Sequence, residues 1–159
     1  MFSCRLRASG KNLNVAEVLH AIKLPYRDVY RKGEFRLRFS KRSQANRPNK
    51  SSGFSCMIGK GNDKTIRQHV KDAIRFLKKY KAALTKPSRR KDIEVLTIDF
   101  GLESRISNKI SAQFDYIPPE LVTLASRYNI GFEISNYSAE ALDRALKEAE
   151  MRFSRRKHQ

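Results

Sequence analysis

The sequence predicts an α+β fold, a two-layer sandwich whose mostly antiparallel sheet carries its helices packed on one face. Three observations predict it. Segments with an apolar residue at every second position are interspersed with segments whose apolar residues recur three and four apart. Some of the strand-like segments follow one another directly, which points to hairpins rather than an unbroken run of βαβ units. With 159 residues, 40% hydrophobic and 31% charged, the chain can bury one core without a staple, and collagen-like, low-complexity and wholly disordered chains are excluded.

Taken in order, Phe2, Cys4, Leu6 and Ala8 alternate with Ser3, Arg5 and Arg7, the period of a half-buried strand that Gly10 ends. Asn14 then precedes Val15, Val18, Leu19 and Ile22 at helical spacing, and Glu17 completes an Asn variant of the capping box. Leu24-Pro25 stops this short helix. Phe35, Leu37 and Phe39 alternate with Glu34, Arg36 and Arg38, and Phe54, Cys56 and Ile58 repeat the pattern, so these two stretches read as a hairpin around a long loop. Ile66, Val70, Ala73, Leu77, Tyr80 and Leu84 predict the longest helix, with Asp63 as its cap and Pro87 beyond its end.

Residues 93–100, 110–116 and 130–137 read as three further strands. Between the last two, Pro118-Pro119 opens a helix with Leu121, Leu124, Ala125 and Tyr128 on one face. Ser138 caps a final helix bearing Leu142, Ala145, Leu146, Ala149 and Phe153, strengthened by the i,i+4 pairs Glu140/Arg144, Asp143/Lys147 and Glu148/Arg152. The expected order is β-α-β-β-α-β-β-α-β-α: one domain over 1–137, a helix over 138–153 on or beside it, and a basic tail over 154–159.

The chemical anomaly is charge. Lys and Arg number 34 against 16 Asp and Glu, a net +18 with pI near 10.3. Residues 1–91 hold 25 of the basic residues and 5 of the acidic ones, so the excess belongs to the first part of the chain. Such a balance points to a polyanionic partner. The residues expected to meet it are Arg5, Arg7, Arg36 and Arg38 on the first two strands, Lys41, Arg42 and Arg47 in the loop, Arg67, Lys71, Arg75 and Lys78 on the long helix, and Arg89 and Arg90 after it. Phosphate contacts from these side chains make recognition salt-sensitive and mostly independent of sequence.

Catalytic signatures are lacking. Gly59 to Thr65 follows a strand and opens a helix, but Asp63 stands where a phosphate-binding loop needs a glycine before its lysine, so an ordinary capped turn is expected. His20, His69 and His158 have no partners at metal-ligand spacing, so neither a metal nor a cofactor is expected. Phe35, Leu37 and Phe39 have the period of core residues rather than of base-stacking rings. Cys4 and Cys56 read as buried thiols, bridged only if their strands are neighbours. No apolar run is long enough to span a membrane and Arg5 and Arg7 interrupt any leader, so a cytoplasmic protein with no membrane partner is expected. Asp99, Asp115 and Glu133 share outward phases and would gather if their strands paired; they read first as solvent-facing acids that balance neighbouring basic strands, with a metal-dependent nuclease as a third hypothesis.

Gly10, Leu13, Glu17, Val18 and Ile22, then Leu24-Pro25 and Tyr30-Arg31-Lys32-Gly33-Glu34, stand in a characteristic order. They are followed by Ser52-Gly53-Phe54-Ser55, His69-Val70, Pro119-Glu120-Leu121, and Ile130, Phe132, Ile134 and Tyr137. In this order the chain resembles, over most of residues 2–137, the bacterial family catalogued as domain of unknown function 4279. That resemblance implies an α+β domain with no assigned reaction and, by association with polymorphic toxins, a protein-binding role of the immunity type. Lys11 and Asn12 replace the family's acidic pair, and the basic balance is unlike an inhibitor of a basic nuclease. The leading expectation is a non-enzymatic protein that binds nucleic acid, DNA or RNA; the alternative is a module for an acidic protein partner.

Overall fold

The computed structural model describes residues 3–35, 48–59, 65–106 and 109–138. Within them the chain forms β1 (Cys4–Gly10), α1 (Val15–Ala21), β2 (Tyr26–Tyr30), β3 (Ser52–Ile58), α2 (Ile66–Lys79), α3 (Lys81–Ser88), β4 (Val95–Glu103), α4 (Pro119–Ser126) and β5 (Gly131–Tyr137). The strands form one sheet in the order β2-β3-β1-β4-β5. It is antiparallel except where β4 pairs with β5 in parallel. The α+β fold with a mostly antiparallel sheet, expected from the sequence, is the fold observed.

The period-two pattern of β1 sets the architecture. Cys4, Leu6 and Ala8 face Ile58, Cys56 and Phe54 of β3 on one side and Phe100, Ile98 and Leu96 of β4 on the other. All of these are buried, in one cluster with Val15 and Val18 of α1, Val70, Ala73, Phe76 and Leu77 of α2, Leu84 of α3, and Leu121 and Ala125 of α4. Burying such side chains contributes about 1.5–3 kcal/mol each for the larger ones, enough to hold the helices on this face. Arg5, Arg7 and Ser9 point to the opposite face, which no described helix covers.

Asn14 caps α1 as expected, its side chain accepting from the Glu17 amide at 3.3 Å. The Glu17 carboxylate goes elsewhere, accepting from Arg90 at 2.6 Å. Pro118 and Pro119 begin α4 at the positions where a missing amide costs nothing. β1 ends on a buried glycine, Gly10, where any β-carbon would collide with the Asp92 carbonyl.

Five expectations are corrected. The strand that pairs with β3 is Tyr26–Tyr30, which the sequence pattern missed. It lies at the sheet edge, its Val29 is 38% exposed, and its pairing comes from backbone bonds that leave no hydrophobic alternation. Phe35 is not in the core: it is 65% exposed and makes an isolated bridge to Pro48, while residues 36–47, including Leu37 and Phe39, lie outside the described residues.

The long helix is two helices. The chain bends at Tyr80, with φ −103° and ψ 21°, and Pro87 sits in the last turn of α3 rather than after it. The apolar period survives the bend, since Leu77 and Leu84 are both fully buried. Residues 110–116 form no strand. β5 already occupies the edge of β4, so this stretch is left as part of the crossover and exposes Ile110, Phe114 and Tyr116. The cap of α2 is Thr65, which makes no side-chain cap bond, and not the expected Asp63, because the helix begins only at Ile66; Asp63 itself, the helix over 138–153 beyond Ser138, and the tail over 154–159 lie outside the described residues.

Cys4 and Cys56 sit on neighbouring strands, but the register sets Cys4 opposite Ile58 and Cys56 opposite Leu6. That diagonal separation, about 7–8 Å, is beyond the reach of a disulfide, and none forms. Burial pushes the Cys56 thiol up to about 12.

Candidate functional site

Two surfaces carry the charged residues singled out in the sequence, and their electrostatics differ. The first is the open face of the sheet, a shallow groove of about 480 Å³ lined by Arg5, Arg7, Asp28, Tyr30, Asp99 and Glu133 among others. Arg5 donates to Asp28 at 3.0 Å and to the Ser3 hydroxyl at 2.9 Å. Arg7 lies between two carboxylates, 3.2 Å from Asp99 and 3.4 Å from Glu133. The parallel register sets Asp99 directly beside Glu133, and Ser135 donates to the other Asp99 oxygen at 2.8 Å. Two like charges so placed repel, and the Arg7 guanidinium relieves that repulsion.

Among the described residues, therefore, the Arg5 and Arg7 charges are matched on this face by Asp28, Asp99 and Glu133. A polyanion approaching it would meet carboxylates as well as guanidinium groups. The outward phases of Asp99 and Glu133 fit acids that balance neighbouring basic strands, although Glu133 is 126 residues from the arginine it pairs with; Asp28 lies on the strand that the hydrophobic pattern missed.

The second surface is the outer face of α2. Arg67, Lys71, Arg75 and Lys78 fall at i, i+4, i+8 and i+11, within an arc of roughly 80° and along about 16 Å of helix axis. All four are exposed. Arg75 is tied to Asp72, whose carboxylate is buried, and Lys78 pairs with Glu120 of α4 at 2.8 Å. Arg67 and Lys71 make no ion pair among the described residues. Lys79 and Lys81 extend the positive surface at the α2–α3 junction, where Lys79 lies 5.2 Å from the centre of the Tyr80 ring.

Of the remaining basic residues, Arg89 is exposed, whereas Arg90 is held by Glu17 at 2.6 Å and Asp92 at 2.7 Å. These bonds raise Arg90 above the ordinary guanidinium value and lower Asp92 below the ordinary carboxyl value, each shift led by their mutual hydrogen bonds. Arg36, Arg38, Lys41, Arg42 and Arg47 lie outside the described residues.

The expected carboxylate cluster forms only in part. Asp99 and Glu133 meet, but Asp115 is drawn into a separate network with Arg105 and Gln113. Among the described residues no three His, Cys, Asp or Glu side chains gather to hold a metal ion. His69 is buried on the inner side of α2, while His20 is exposed on α1. No described helix is long and apolar enough to cross a membrane.

No protein-family model, curated protein or solved structure matches this chain.

One feature of the surface was hidden by the expectation of a strand over 110–116. The stretch over 113–115 is fixed to Arg105, just after β4: the Arg105 amide donates to Gln113 at 2.8 Å, and its guanidinium donates to the Phe114 carbonyl at 3.1 Å and to Asp115 at 2.9 Å. Gln113 also donates to Asp115 at 2.6 Å. Exposure then alternates, with Gln113, Asp115 and Ile117 turned inward while Phe114 is 88% and Tyr116 72% exposed.

Proposed function

We propose that the chain is a non-enzymatic, cytoplasmic binding protein that engages nucleic acid through phosphate contacts along the outer face of α2. The observation that supports this reading is the line of Arg67, Lys71, Arg75 and Lys78, in which Arg67 and Lys71 have no carboxylate of the described chain to neutralise them. A cation without an internal partner keeps its full attraction for a phosphate, and releasing condensed counterions supplies the driving force. Arg5 and Arg7, each already in an ion pair, contribute less.

Fluorescence-anisotropy titration with labelled oligonucleotides at low salt tests this reading. Arg67→Glu with Lys71→Glu is expected to weaken binding at least tenfold, while Arg7→Ala changes it less than threefold. Full affinity in the α2 double variant would refute it. Strand cleavage with Mg²⁺ or Mn²⁺ in the same mixture, lost on Asp99→Ala, would replace it with a nuclease.

The groove on the open sheet face favours a second reading, the protein-binding role of the immunity type implied by the family resemblance. Its carboxylates and guanidinium groups are interspersed and flanked by Tyr30 and Tyr137, a mixture suited to a protein surface more than to a uniform polyanion. A stable complex with a neighbouring gene's product, weakened by Glu133→Arg and unaffected by oligonucleotide, would favour this alternative.

A further inference from the structure

We infer that the stretch over 113–117, just before α4, is a base-stacking platform, and that the nucleic acid taken by α2 is single-stranded. This inference rests on the reading of α2 given above and adds the class of nucleic acid. Phe114 and Tyr116 are the two most exposed large apolar side chains described, at 88% and 72%. Water-facing rings of this size are uncommon, and here neither results from a slack loop. Arg105, Gln113 and Asp115 bond the stretch from beneath, and Asp115 is itself almost buried, its side chain 8% exposed. Holding the backbone in this way presents both rings before any ligand arrives, which reduces the entropy lost on binding.

The rings precede, by a few residues, the start of α4, which an ion pair joins to one end of the α2 line. Lys78, the last cation of the line, bonds Glu120 at 2.8 Å, and Glu120 is four residues beyond Tyr116, a chain span of at most about 14 Å. A positively charged track ending in exposed rings is the combination that single strands use: phosphates follow the cations, and bases stack on the π-faces. Phe114 and Tyr116 are two positions apart, so their α-carbons are separated by at most about 7 Å, against 3.4 Å between successive bases in a duplex strand. Each ring can therefore take its own base from an extended strand, whereas duplex bases are already stacked on one another.

The test compares a labelled single strand with a duplex of equal length, using the full chain and the variants Phe114→Ala, Tyr116→Ala, Phe114→Trp and Phe114→Leu. At positions this exposed the fold is expected to be unaffected, checked by thermal melting. The single strand should bind more tightly than the duplex. Each alanine should cost about tenfold on the single strand and leave the duplex unchanged, Trp should retain affinity, and Leu should lose it because it is apolar without a π-face. Equal affinity for both substrates, or alanine variants that bind the single strand normally, would overturn the platform. If Arg67→Glu with Lys71→Glu still weakens binding in that case, the reading of α2 stands; if neither substrate binds at low salt, both fail. Loss of anionic-vesicle binding on the same alanine substitutions, with oligonucleotide affinity untouched, would overturn the platform in favour of a membrane surface.

Discussion

Arg7 on β1 reaches Asp99 on β4 at 3.2 Å, and the Asp99 side chain is only 10% exposed. The arginine is therefore a structural counterion before it is a ligand for anything outside. Arg7→Leu leaves Asp99 with the Ser135 hydroxyl and brings its repulsion with Glu133 into the open. The expected loss is about 1–2 kcal/mol, discounted because Arg7 is 40% exposed and solvent screens its outer pair with Glu133. Urea denaturation measures it, and Arg7→Leu with Asp99→Asn should cost less than the two single losses together.

On α2, neighbouring cations should behave differently. Lys71→Ala removes an exposed charge with no ion pair among the described residues, so stability should stay within about 0.5 kcal/mol of the parent. Arg75→Ala takes a donor from the buried Asp72 carboxylate and should cost about 1–3 kcal/mol. Thermal melts of the two variants, side by side, distinguish a cation kept for a partner from one that also serves a buried carboxylate of its own helix.

Stability should fall in acid partly through Asp92. Hydrogen bonds from Arg90 hold its carboxyl below the ordinary value, so between the unfolded and folded values the unfolded chain binds the proton more readily. The stabilisation is complete above the unfolded value, about 3.9, and is lost as pH falls through the lower folded one. Arg90→Leu should cost about 1 kcal/mol at pH 7, and its deficit relative to the parent should shrink as pH drops below about 4. Denaturant titrations at pH 7 and pH 3 read this directly.

The Cys56 thiol, pushed up to about 12 by burial, stays protonated at pH 8 and shielded from reagents. Iodoacetamide should leave it unmodified in the native protein and label it once urea unfolds the chain. Labelling at the rate of a free thiol under native conditions would contradict its burial on the inner face of β3.

How much of this was legible depended on whether burial shaped the residue pattern. β1, with apolar side chains inward and arginines outward, could be read directly, as could the Asn14 cap and the proline start of α4. β2 could not, because an edge strand held by backbone bonds needs no hydrophobic alternation. At 110–116 the alternation was real but the sheet was not: Phe114 and Tyr116 are exposed while Gln113 and Asp115 between and before them are bonded to Arg105. The basic line on α2 followed from helical spacing alone. What sequence spacing could not show was which cations the fold neutralises, since Asp28 and Glu133 reach Arg5 and Arg7 only through strand pairing.

The central claim is that this chain's positive surface is used on nucleic acid, and the salt dependence of binding tests it most directly. Affinity for a short oligonucleotide, measured by anisotropy from low to physiological salt, should fall linearly on a log-log plot. Each phosphate contact should contribute a slope of about −0.9 on duplex DNA or −0.7 on a single strand, and Arg67→Glu with Lys71→Glu should flatten the line by about two contacts. No binding at low salt, or binding indifferent to salt and to the α2 substitutions, would contradict it.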